Sequence, residues 1–152
     1  MKDFTILYAN SESSRDLGMG LEFIKKNSKE SYVKLLANIL STHVALATIR
    51  LNNMNDIYLI MQGENWSSGG RELDAQPWIE ELGLGHTSMS VGDLVIDHDT
   101  GHVHFCDVSG WTDMGHFSDH VVQAPVTHES YLQGINRGLF HVNDLYPIKV
   151  WE

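Results

Sequence analysis

Short apolar runs and polar loops alternate along the chain, and the spacing of the apolar positions changes from one stretch to the next. Phe4 to Ala9 (FTILYA) is an unbroken run of apolar and β-forming residues that stops at Asn10 and a Ser/Glu/Arg/Asp cluster. It predicts a strand followed by a loop to about Gly20. Tyr32, Leu35, Leu36, Ile39 and Leu40 then recur at helical spacing, and Asn27 with Glu30 three residues on resembles a capping arrangement, so a helix is expected over 28–40. In Thr42 to Leu51 (THVALATIRL), Val44, Leu46 and Thr48 alternate with Ala45, Ala47 and Ile49, the pattern of a strand buried on both faces. Asn53 can cap a short helix from Met54 to Met61, and Asp74 a second one through Trp78 and Leu82, with Gly63 and Gly83 at their ends.

Past this point the period falls to two. Asp93 to Asp97 (DLVID) and Gly101 to Val108 (GHVHFCDV) flank His-Asp-Thr, whose Asp, with the following Gly, suits a tight hairpin connection. Apolar residues continue to the end of the chain and predict a short helix near Glu129 to Asn136 and a last strand near Pro147 to Trp151. No repeat and no Pro/Ser-rich linker divides residues 1–152. The expected fold is one α+β domain: a mostly antiparallel sheet, two or three short helices on one face, and a C-terminal hairpin region.

Composition narrows the function classes. A chain of 152 residues that is 42% apolar can fill one core. No run of about 18 apolar residues is present to span a bilayer, and the first residues lack a basic region followed by a long apolar stretch, so a cytoplasmic protein is expected. The single cysteine, Cys106, permits no internal disulfide. Charge is uneven: residues 1–50 hold seven Lys and Arg against five acids, whereas 51–152 hold fifteen acids against three bases. An acidic surface of this kind repels nucleic-acid phosphate and fits a basic partner.

Candidate chemistry gathers between Gly85 and Trp111. On an extended strand His102, His104 and Cys106 share one face, and with His98 or an Asp they could hold Zn²⁺; otherwise Val103 and Phe105 fill the core and the His/His/Cys face is half solvated, with no cofactor. Asp99-Thr100-Gly101 matches the tripeptide of aspartic proteases, but one copy cannot supply the two carboxylates that share a proton, and the same tripeptide is ordinary hairpin chemistry. His86, Ser88 and Ser90 beside Asp93 contain the residue types of a nucleophilic triad; alternatively the Ser and Thr residues bond the backbone at a strand entrance while Met89 and Val91 enter the core. Trp66 and Trp111 fall in expected loops, where a tryptophan either anchors a partner or folds over the core edge. Trp66, His86, Ser88, Asp93, Asp97, Asp99, Trp111 and Asp113 therefore form the expected binding set.

Taken together, MQGENW (Met61 to Trp66), LGLGHTSMSVGDLV (Leu82 to Val95), the hairpin, and the small turn at Ser109 to Trp111 resemble a family of small proteins of bacteriophages and mobile elements. In that family a His-Thr-Ser-Met-Ser-Val-Gly-Asp box precedes a hairpin, and the box is similar to that of the YodL-like domain. The resemblance covers about residues 42–114, and departs from the family at Trp111, where Phe is common, and in the His-rich hairpin. It implies a family and no particular reaction. Two expectations follow: a small acidic protein that binds and modulates or inhibits a host protein with a basic surface, or a small metal-dependent or hydrolytic enzyme using the His-rich hairpin. A homodimer through an exposed sheet edge is a further expectation.

Overall fold

The structure, a computed structural model, describes residues 2–62, 79–80, 82–120 and 150–151. The first strand, β1 (Lys2–Ala9), leads into three helices, α1 (Ser14–Leu17), α2 (Leu21–Asn27) and α3 (Lys29–Ala37). A 3₁₀ turn at Ile39–Ser41 feeds β2 (His43–Leu51), and a second one at Met54–Asp56 feeds the one-turn helix α4 (Ile57–Ile60). Next come β3 (Leu94–Asp97), β4 (His102–Asp107), β5 (Gly110–His116), a 3₁₀ turn at Phe117–His120, and β6 (Val150–Trp151). The sheet runs β5-β4-β3-β1-β2-β6, antiparallel at every pairing except β2 with β6. This is the mostly antiparallel α+β arrangement with short helices that the apolar pattern predicts. Among the described residues no helix is long and apolar enough to cross a membrane.

Apolar side chains cover both faces of the sheet. Leu7, Ala9, Leu94, Ile96, Val103 and Phe105 pack with Leu17, Ile24 and Leu35 of α1 to α3 on one side. Phe4, Ile6, Tyr8, Leu46, Val95 and Cys106 pack with Ile57, Met61, Leu84 and Met89 on the other. The expectation of helices on one face is thus corrected: Ile57 of α4 sits on the face opposite α1 to α3.

Two local expectations also change. Asn27 does not cap the helix over 28–40; it closes α2, where its amide bonds the Phe23 carbonyl, and α3 starts separately after Ser28. The strict alternation expected in β2 is broken by a bulge: Ile6 lies opposite Ala47 but Leu7 opposite Ala45, leaving Leu46 extra. A bulge of this kind shifts the phase of a strand by one residue. Ile49 consequently joins Leu46 in the same cluster, while the Thr48 hydroxyl meets that of Thr5 at 3.4 Å. Asn53 accepts a hydrogen bond from the Asn55 N–H, as its expected capping role requires. Trp66, the helix start at Asp74 to Trp78, the helix near 129–136 and the C-terminal hairpin region lie outside the described residues; of the last strand, Val150–Trp151 is described.

Candidate functional site

The box from His86 to Asp93 folds as an entrance to β3, and its acid turns inward. Asp93 is 1% exposed and accepts hydrogen bonds from the backbone N–H of Ala9 (2.8 Å) and of Ser90 (2.8 Å). The His86 imidazole donates from Nε2 to the same carboxylate, 2.9 and 3.0 Å from its two oxygens. Its ring stacks on Tyr8 at 4.6 Å, and the Tyr8 hydroxyl in turn donates to the Thr87 carbonyl at 2.8 Å. Burial of a carboxylate is costly unless such donors surround it. Met89 enters the core and Ser90 Oγ bonds the Ser88 carbonyl, so this stretch makes the local backbone bonds typical of a strand entrance.

A second histidine completes the arrangement from the other side. His43, buried at the start of β2, donates from Nε2 to the Gly92 carbonyl (2.6 Å) and meets the Thr42 hydroxyl through Nδ1 (2.8 Å). Burial pushes its pKa from 6.5 down to about 4, against the opposing effects of the Gly92 carbonyl and Asp93. The folded state therefore holds neutral His43, and that advantage is complete above the unfolded value of 6.5 and lost as pH falls through 6.5 toward 4. Acidification across that window is expected to remove on the order of 3 kcal/mol of stability. Denaturant midpoints measured at intervals from pH 7.5 to 4 test this; a flat profile would refute it. His43 was missed from sequence because its partner, Gly92, lies 49 residues away.

His86 held by a buried Asp is the base half of a nucleophilic triad. Among the described residues, however, no hydroxyl or thiol is hydrogen-bonded to His86; Ser88 contributes its carbonyl to Ser90 instead. The other members of the expected set are spread over the sheet. Asp97 pairs with Lys2 at 3.2 Å and accepts the Asp99 N–H at 2.9 Å, and Asp99 stands 3.9 Å from the same ammonium. Both therefore shape the hairpin connection. Trp111 lies opposite Cys106 and packs partly buried against the second apolar cluster.

The face of β4 expected to hold a metal divides by burial. His102 bonds Asp113 at 2.8 Å, which holds the Asp113 carboxyl below its usual range. Burial holds the His104 imidazole below its ordinary range, although Asp113 and Asp97 oppose this. Cys106 is 5% exposed, and its thiol is pushed up to about 12 by burial and by the nearby Asp93 and Asp107 carboxylates. A protonated thiol is a poor metal ligand and nucleophile. The half-solvated His/His/Cys face is thus corrected at Cys106, which belongs to the core. Among the described residues no group of three or more His, Cys, Asp or Glu is gathered so as to hold a metal ion.

His120 joins α3 to β5: Nδ1 faces the Leu36 carbonyl at 2.9 Å and Nε2 the Met114 carbonyl at 2.5 Å. Comparison with protein-family models, with curated proteins and with solved structures returned no match.

Proposed function

We propose that this chain is a small acidic binding protein that docks on a basic surface of another protein and modulates it. One observation carries the reading: residues 51–120 hold twelve Asp or Glu against a single base, Arg71. Of these, Asp56, Glu80, Asp99, Asp113 and Asp119 are exposed. In the box, by contrast, the Asp93 carboxylate and the Gly92 carbonyl tie β1 and β2 to the entrance of β3. Fields of one sign set the partner's sign and the rate of encounter, and make both sensitive to salt. The resemblance of the box to phage and mobile-element proteins supports a host protein as the target, for example one whose own basic groove binds nucleic acid.

The test is direct. Binding of the full chain to a lysine-rich test protein and to duplex DNA is measured between 50 and 500 mM salt. Saturable binding of the basic protein, weakened about tenfold or more across that range by screening, with no binding of DNA, is the expected result. A flat salt response or equal binding of DNA overturns the proposal. A tagged pull-down from bacterial lysate at low and high salt then identifies the natural target.

A further inference from the structure

Gly20 brings the β4–β5 turn against the start of α2. It has φ +94°, and a Cβ there would stand 3.0 Å from Asp107 Oδ1 and 3.3 Å from Val108 Cγ1. Because no side chain intervenes, Val108 reaches α2, and Met19, Phe23 and Val108 line one hollow of about 220 Å³. These three are 51%, 42% and 71% exposed, although the neighbouring Ile24 is fully buried. An adjoining hollow of about 340 Å³ continues between α2, α3 and β5, with Tyr32, Leu36 and Met114 in its walls. Glu22, Asp107 and Thr112 border both, so the two form one groove.

Large apolar side chains left in solvent beside one another mark an interaction surface more often than scattered ones do. Its charge selects the occupant. Three carboxylates, Glu22, Asp107 and Asp113, line the groove against one ammonium, Lys25. The Asp107 carboxylate is fixed by the Val108 N–H and the Thr112 hydroxyl, both at 2.9 Å, and Asp113 by His102 and the Gly115 N–H. Asp107, at the end of β4, and Asp113, in β5, are thus oriented charges.

We infer that this groove is where the partner docks, and that it takes a protein segment carrying apolar side chains together with Lys or Arg. The apolar residues would seat on Met19, Phe23 and Val108, and the cations would face the three carboxylates. The inference rests on the binding reading above and gives it a location. The walls of the inner half are tied by His120, whose two carbonyl partners belong to Leu36 and Met114.

The experiment titrates isotope-labelled full-length protein with a synthetic Leu/Lys peptide and a Leu/Glu control of the same length, followed by NMR. Shifts confined to residues 19–25, 32–36 and 107–114 with the Lys peptide, and none with the Glu peptide, are expected. Phe23→Ser and Val108→Ser should each weaken binding at least tenfold, with thermal midpoints within a few degrees of the parent because both side chains are exposed. Asp113→Asn should weaken it less and flatten the salt dependence. Lys-peptide shifts that map elsewhere overturn the groove while leaving the acidic-binding reading intact. No binding of any basic probe overturns that reading as well. Equal binding of the Glu peptide, or a dimer in sedimentation that Phe23→Ser dissociates, shows a different occupant and overturns the inference.

Discussion

Asp93→Ala is expected to destabilise the protein by roughly 3 kcal/mol or more, a large share of the 5–15 kcal/mol that holds a typical domain together. The substitution strands the Ala9 N–H inside the core and releases the Ser90 N–H and the His86 imidazole, which the carboxylate now gathers. A buried donor left without an acceptor costs about 1–3 kcal/mol, and the lost bonds here are charge-assisted. Asp93→Asn should cost less, since one amide oxygen can still accept the Ala9 N–H while the amide nitrogen faces a donor on the other side. His86→Ala should cost least, because its side chain is 20% exposed and the carboxylate keeps both backbone donors. Urea unfolding of the three variants checks the order. If Asp93→Ala left the midpoint unchanged while abolishing an activity, the pair would be catalytic and its structural role would be wrong.

That order bears on how a short motif should be read. His86 and Asp93 were legible as a pair of chemistry-bearing residues seven apart, but residue type alone does not separate a catalytic dyad from a buried brace. The separation comes from Ala9, 84 residues away from Asp93, whose N–H needs an acceptor. Strands were more accessible. The unbroken apolar run of β1, the β3–β4 hairpin with its Asp97 and Gly101, and the alternation that buries Val103 and Phe105 in β4 are local signals. By contrast β5 (GWTDMGH) carries two glycines and no alternation, and is a strand because β4 pairs with it. Helix α1 fell inside the expected loop, and α2 lay unassigned between that loop and the helix expected over 28–40, since Leu21 and Ile24 face the core while Phe23 faces out, too few apolar positions to show a period. Cys106 was read as half solvated because the sequence does not reveal that Met89, Leu84 and Trp111 cover the second face of the sheet. The groove beside α2 was missed for a related reason: Met19, Phe23 and Val108 meet because Gly20 lets a distant turn approach.

Gly92→Ala is expected to cost about 3–5 kcal/mol, combining backbone strain with a steric clash. The residue has φ +104°, a region that side chains with a Cβ avoid. A methyl group there would lie 2.8 Å from Leu17 Cβ and 3.0 Å from the Leu17 carbonyl carbon. Neither side can easily yield. Leu17 is buried at the end of α1, while Gly92 is fixed by its N–H to the Cys106 carbonyl (2.9 Å) and by His43 on its own carbonyl (2.6 Å). Gly110 supplies the control, with φ +98° and nothing within 4 Å of the position a Cβ would take. Gly110→Ala should therefore show the strain alone, about 1–3 kcal/mol, and the difference between the two variants measures the contact with α1. Thermal and urea midpoints of both variants decide it: equal losses would mean that α1 moves aside freely, and that the box is not braced against Leu17. A larger loss at Gly92, together with a weakened His43 signature in the pH profile, would show that the box, β2 and α1 form one cooperative unit beneath the acidic surface.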